Sequence, residues 1–321
     1  MAYRSNIQPT IDPKKLNELE KKRKEKPEKS KYDQALEKYD THLNEEEINK
    51  TVKKLIAEKV ADNDTKEVKK FLLGSVELTS LHTTDTEEKI LAMTEKVNNF
   101  YGDYPGLPHV AAICIYPVFT ELVAKSLEVD GVEITTVCGT FPSSQARMEV
   151  TTAETPLTSA DSTTNIDIVM PVGKFLSNDY EGVCDDIDEL KEVCKDVPLK
   201  VILETGDLGS YSNIKKAAIL AMYAGANYIK TSTGKEKIGA TPESVYIMCQ
   251  AIKEYYDETG IQIGLKPAGG MKTVMDAVIY YTIVKEVLGN KWLTNKWFRL
   301  GTSSLANLLL SEILERDIKY F

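Results

Sequence analysis

Histidine is scarce in this chain: His42, His82 and His109 are the only three in 321 residues. Acid–base chemistry near neutral pH therefore falls to lysine, carboxylates or tyrosine. Cysteine is sparse too, with five residues (Cys114, Cys138, Cys184, Cys194, Cys249) set far apart and no CxxC pair. An odd, scattered set fits neither a disulfide framework nor a zinc site, and a reducing cytoplasm is the compartment it implies. No apolar run approaches the roughly 20 residues that span a bilayer, and the first residues, MAYRSNIQPT, lack the apolar stretch of a signal peptide. The expectation is a soluble, unexported protein. A surplus of positive charge is missing as well: the formal net charge is -9, so neither nucleic acid nor a membrane surface, both anionic, is an expected partner. An anionic substrate would need donors placed locally.

Hydrophobic residues make up 42% and charged residues 28% of the chain, which suffices for a large core. The length suits one (β/α)8 barrel of about 250 residues with an appendage. Residues 1–70 read as that appendage, because Lys, Glu, Asp and Asn dominate and few large apolar residues precede Leu55. The run KKRKEKPEK, from Lys21 to Lys29, has acids interleaved and reads as a solvated helix or linker rather than a nucleic-acid patch. Further on, Ile48, Val52, Leu55, Ile56 and Val60 recur at helical spacing. They predict an amphipathic helix docked by its apolar face, with the barrel floor as one candidate seat.

From about Leu72 the chain alternates short β-branched runs with longer helical patterns. The runs are SVELTSL, HVAAICIY, EITTVCG, NIDIVM, LKVILET, YIKTST, QIGLKPA and WFRLGTS. Strands that alternate with helices imply a parallel sheet. Eight such units predict an α/β fold, a (β/α)8 TIM barrel over residues 71–321 with an N-terminal helical extension over 1–70. An open doubly wound sheet is the alternative, but no GxGxxG follows the first strand.

Active sites of such barrels lie at the strands' C-terminal ends. Polar residues stand there inside otherwise apolar runs: Asp167 in the fourth, Lys230 in the sixth, Lys266 in the seventh, Ser303 and Ser304 in the eighth. A single lysine near a strand end is ordinarily a snorkelling side chain, and a single aspartate ordinarily a salt-bridge partner or cap. Two lysines in consecutive units, both followed by glycine-rich turns, point elsewhere. Burial and mutual repulsion lower lysine pKa values, and only the neutral amine attacks a carbonyl. One of the two would form a Schiff base while the other, as a neighbouring cation, activates it; the spacing does not say which. Asp167 beside them becomes a proton shuttle. Gly234, Gly269, Gly270 and Gly301 allow backbone N–H groups to approach an anion. Ser303 and Ser304 could both cap the last helix and donate to phosphate oxygens.

Together, YIKTSTGK, GLKPAGG, AAICIYP, KVILETGDL and RLGTSSL resemble the deoxyribose-phosphate aldolases over roughly residues 72–315, in their longer, eukaryotic-type form. The resemblance implies reversible cleavage of 2-deoxy-D-ribose 5-phosphate to D-glyceraldehyde 3-phosphate and acetaldehyde, without a metal or organic cofactor. It assigns the Schiff base to Lys230 and a proton relay to Lys266 and Asp167. It places Gly234, Lys235, Gly269, Gly270, Ser303 and Ser304 around the phosphate, with Thr79, Cys114 and Thr233 lining the site. The partner implied is a small phosphorylated sugar; a homo-oligomer is allowed, and the reach of Tyr320 toward the site is left open. Departures from the family pattern are Glu77, where an aspartate is usual, Thr140 at a glycine position, Ser143-Ser144 replacing a glycine-containing pair, and a Pro156-bearing segment that predicts a weak helix. Two other readings compete: a sugar-phosphate-binding barrel with little turnover, and a Schiff-base aldolase for another aldehyde or keto-sugar phosphate.

Overall fold

Strands form where β-branched and apolar residues run together: β1 (Val76–Thr79), β2 (Ala112–Ile115), β3 (Glu133–Val137), β4 (Asn165–Val169), β5 (Leu199–Ile202), β6 (Tyr228–Lys230), β7 (Gly264–Lys266) and β8 (Leu300–Thr302). Each falls inside one of the eight runs. The computed structural model describes residues 29–160 and 163–321. All neighbouring strands are parallel, in the order β7-β6-β5-β4-β3-β2-β1-β8. Parallel bridges Leu265 to Phe298 and Ala268 to Gly301 join the two ends of that row and close the barrel. Helices return the chain between strands and cover the outside. Each strand is thereby buried on both faces, which is why Ala112–Ile115 and Leu199–Ile202 are buried at every residue.

Local signals fix the helix starts and stops. Helix Pro242–Thr259 begins on Thr241, whose hydroxyl accepts from the Ser244 amide at 3.1 Å, with Pro242 in its first turn, and ends at Gly260 in the left-handed conformation. The amphipathic helix of the extension spans Glu45–Asn63 and buries Ile48, Val52 and Val60. Its seat is not the barrel floor: it lies against the outer helices Pro242–Thr259 and Val274–Val287. The physical reason is polar as well as apolar. Buried Asn63 donates to Thr282 Oγ1 at 3.1 Å and accepts from Lys285 Nζ at 2.8 Å, both on the second of those helices. The basic run from Lys21 lies outside the described residues, apart from Lys29.

The turn after β3 keeps a glycine's backbone without glycine. Thr140 stands at φ 55° and Ser144 at φ 52°, and the segment expected to be a weak helix forms one over Met148–Ala160. A β-branched residue in the left-handed region costs about 1–2 kcal/mol, more than the roughly 0.5–1 kcal/mol of entropy that a glycine adds to the unfolded chain. Thr140→Gly is therefore expected to raise stability by about 0.5–1 kcal/mol, read as an increase in the urea midpoint at unchanged slope.

The C-terminal residues fold back on the barrel's flank. The Tyr320 hydroxyl lies 2.9 Å from the Lys96 carbonyl and 2.7 Å from Asp103 Oδ2, on the helix that returns from the end of β1. In this conformation Tyr320 does not line the mouth.

Candidate active site

Lys230 and Lys266 are register partners on β6 and β7, and Asp167 and Lys200 on β4 and β5. Partners in a parallel pair point to the same face, here the barrel interior. All four side chains are at most 3% exposed. Asp167 Oδ2 receives both lysines, Lys230 Nζ and Lys266 Nζ each at 2.8 Å. Glu77, from β1, receives Lys266 on one oxygen, while its other oxygen lies 3.3 Å from Lys200 Nζ and 3.6 Å from Arg299 Nη1. Arg299 Nη2 continues to Glu133 at 3.0 Å. Four cations and three carboxylates thus alternate through the barrel interior.

That alternation decides the charges. Burial works to raise Glu77, but Lys200 and Lys266 outweigh it and hold the carboxyl down at about 2. Burial likewise opposes ionised Asp167, and Lys230, Lys266 and Lys200 hold it far below the usual carboxylate range. Lys200 is dominated by burial, which lowers it despite its two carboxylate neighbours. Lys266 corrects an expectation. Burial was expected to lower it, yet Asp167 and Glu77 overcome the desolvation and push it above the ordinary lysine range, so it stays an ammonium. A carboxyl with a depressed folded pKa stabilises the fold above its unfolded value and loses that contribution as pH falls through the folded one. Stability is therefore expected to decline from about pH 4.5 toward 2, and Glu77→Gln to flatten that limb, as urea midpoints at successive pH values would show.

Above this layer lies a cavity of about 250 Å³ at the C-terminal ends of the strands. Lys230 is on its wall, with Thr79, Thr233, Gly234, Lys235, Gly269, Gly270, Ser303 and Ser304. The structure thus gathers nearly all the residues singled out in the sequence. Three do not line the cavity: Lys266, Asp167 and Cys114 are wholly buried, with Cys114 beside Glu77 and Asp167. Glu77, Cys114 and Asp167 bring potential metal-ligand atoms within 4.8 Å of one another, and the Lys266 ammonium already pairs with the two carboxylates.

The glycines act through backbone proximity. Gly234, Gly269 and Gly270 all have positive φ, and a Cβ on Gly239 would lie 2.4 Å from the Gly269 carbonyl carbon. The β6 and β7 turns therefore touch backbone to backbone, leaving N–H groups close to the cavity. The Lys235 ammonium spans the mouth to the Leu81 carbonyl. One capping expectation is corrected: neither serine caps the final helix. Ser304 has helical backbone angles, unsuited to side-chain capping, and Thr302 Oγ1 accepts from the Ser304 and Leu305 amides at 3.3 Å instead. The Ser303 and Ser304 side chains remain exposed at the cavity wall.

Lys200 and Arg299 were missed in the sequence, as was the part played by Glu77 in holding Lys266. Both basic residues are flanked by apolar neighbours inside strand runs, LKVIL and FRL, the same signal that selected Lys230 and Lys266. A larger cavity of about 820 Å³ opens beside the β3 turn, lined by Ser144, Gln145 and Lys174 among others. Its Lys174 is already paired with Asp186 at 2.6 Å, so size does not make it the reactive site.

A model of the DeoC/LacD family of aldolases matches residues 75–304. A Caenorhabditis elegans protein provisionally named deoxyribose-phosphate aldolase is 40% identical over 232 residues, 72% of this chain and 76% of its own. Mouse deoxyribose-phosphate aldolase is 39% identical over 210 residues, 65% of this chain and 64% of the mouse enzyme. The structure of a tetrameric deoxyribose phosphate aldolase from Aeropyrum pernix superposes with a TM-score of 0.61 at 24% identity, covering 84% of this chain and 98% of that one. The structural likeness bears on the fold alone.

Proposed function

The chain belongs to the DeoC/LacD family of aldolases, and from that premise we propose that it cleaves 2-deoxy-D-ribose 5-phosphate to D-glyceraldehyde 3-phosphate and acetaldehyde through a Schiff base on Lys230. The observation that carries the choice of lysine is access. Lys230 reaches the cavity wall, whereas Lys200 and Lys266 are wholly buried and absent from it. Lys266, held charged by Asp167 and Glu77, is the neighbouring cation that shares Asp167 Oδ2 with Lys230. Asp167, hydrogen-bonded to both, is placed to take the proton that Lys230 sheds as its nitrogen attacks the C1 carbonyl.

Carbinolamine loses water to give an iminium; the C3 hydroxyl gives up its proton; the C2–C3 bond breaks and its electrons move to the iminium nitrogen. Glyceraldehyde 3-phosphate leaves, the enamine takes a proton at C2, and water releases acetaldehyde from Lys230. Gly234, Gly269, Gly270, Lys235, Ser303 and Ser304 supply donors for the phosphate, and Thr79 lines the sugar's path.

We read the molecule as a barrel over residues 71–321 with an extension over 1–70, in keeping with β1 starting at Val76. Among the described residues no helix is long and apolar enough to cross a membrane, and we place the protein in the cytoplasm. The tetramer of the archaeal relative makes a homo-oligomer the assembly to look for. The test of the proposed chemistry is borohydride reduction with acetaldehyde, followed by peptide mass spectrometry. An ethyl group on Lys230 is expected; no adduct, or adducts scattered over surface lysines, would overturn the mechanism.

A further inference from the structure

Behind the cavity, the turn after β6 is held by a residue that does not line it. Glu204, two residues past β5, is 4% exposed and has left-handed backbone angles, φ 52° and ψ 59°. Its carboxylate is aimed at one partner. The Thr233 amide lies 3.2 Å from each carboxylate oxygen, and the Thr233 hydroxyl donates to Oε2 at 2.5 Å. The hydroxyl oxygen in turn accepts from the Lys235 amide at 3.1 Å. Both Thr233 donors are therefore spent on Glu204, and its oxygen is spent on the backbone two residues further on. Thr233 meets the cavity as the middle of a relay rather than as a donor to a ligand.

The arrangement is costly in isolation. A non-glycine residue in the left-handed region is strained, and burial pushes the Glu204 carboxyl up, with Asp207 and Glu236 adding to it. What the cost secures is the shape of Thr233–Gly234–Lys235, the turn directly after the strand that carries Lys230. A second contact ties the same two loops: a Cβ on Gly206 would lie 2.5 Å from the Ile238 carbonyl.

We infer that Glu204 is a positioning residue for anion recognition: through Thr233 it fixes the Gly234–Lys235 backbone, so that the cavity is preset for the phosphate of a phosphorylated sugar. The inference rests on the proposed phosphosugar aldolase reading and adds to it the residue that sets its selectivity for the phosphate. It predicts an effect confined to the phosphate end.

Glu204→Gln keeps the size of the side chain but replaces an acceptor oxygen by a donor nitrogen. In the full-length enzyme it is expected to raise KM for 2-deoxyribose 5-phosphate about tenfold or more, the scale of a lost charge-assisted hydrogen bond. Inhibition by inorganic phosphate should weaken by a similar factor. The kcat/KM for unphosphorylated 2-deoxyribose should shift by no more than about twofold, and the ethyl adduct on Lys230 should persist. Thr233→Val removes the same link from the other side, serving also if the Glu204 variant does not fold. The double variant should be no worse than the more impaired single, because one relay is being cut twice. Equal losses on both sugars, an unchanged KM, or additive effects in the double variant would overturn the inference. Absence of an adduct on Lys230 in the wild type would instead overturn the aldolase mechanism, so the two failures are distinguishable.

Discussion

Lys230→Met will bring cleavage of 2-deoxyribose 5-phosphate down to background, a loss of about 10⁴-fold or more, because the covalent route disappears with the amine. Methionine fills nearly the same volume, and its removal of one buried cation leaves Asp167 Oδ2 still engaged by Lys266 at 2.8 Å. Folding is therefore expected to survive, which circular dichroism would check. The informative comparison is with Lys266→Met under borohydride and acetaldehyde. The first variant should lose the ethyl adduct and the second should retain it at Lys230, since Lys266 is wholly buried and off the cavity wall. An adduct that survives Lys230→Met, or migrates to Lys266, would reverse the assignment of the two amines.

Asp167→Asn separates binding of the carbonyl from turnover. The amide keeps a hydrogen-bonding oxygen for the lysines but cannot take a proton, so kcat should fall about 10²–10⁴-fold, the range ordinarily supplied by a positioned acid or base. Trapping of acetaldehyde on Lys230 should persist, more slowly, because the amine remains and solvent can take the proton that Asp167 no longer accepts. The same substitution tests the electrostatics of the core. It removes a negative charge that lies 2.8 Å from Lys230 and Lys266 and 3.7 Å from Lys200, leaving Glu77 to answer those cations almost alone. Breaking a buried ionic cluster by one partner typically costs about 3–5 kcal/mol, so the variant should unfold at markedly lower urea concentration. A fully active Asp167→Asn would remove the aspartate from the proton path; a stable one would mean that the buried cations discharge without it.

The eight strands were legible because alternation of β-branched runs with helical periods reports local structure, and a parallel sheet is the arrangement such alternation permits. Ring closure was less so. Periodicity does not distinguish an open row from a closed one, and here the distinction rests on pairings such as Leu265 with Phe298, between segments whose register a single sequence does not display. The count of eight units, with no GxGxxG after the first strand, supplied that step. Within the site, Lys230, Lys266 and Asp167 declared themselves as charges in apolar strands. Lys200 and Arg299 met the same criterion but stand at the beginnings of β5 and β8, away from the C-terminal ends at which the chemistry was sought. What the sequence could not express was partnership: Lys266 is held charged by Glu77, a residue 189 positions away in the chain. The departure at Thr140 was visible as a residue change, whereas its left-handed backbone required the fold.

The closing pair of strands has a consequence for how Lys266 comes to be where it is. Along β7, Leu265 exchanges hydrogen bonds with Trp297 and Arg299, and the Pro267 carbonyl accepts from Gly301. By the alternation of a parallel ladder, the next donor toward β8 would be the amide of residue 267, and proline has none. One rung of the seam is thus missing beside Lys266. In exchange, the proline ring disfavours helical angles at the residue before it, so Lys266 is biased toward an extended backbone even in the unfolded chain. The cation on which the site depends is in this way partly oriented by its own covalent neighbour.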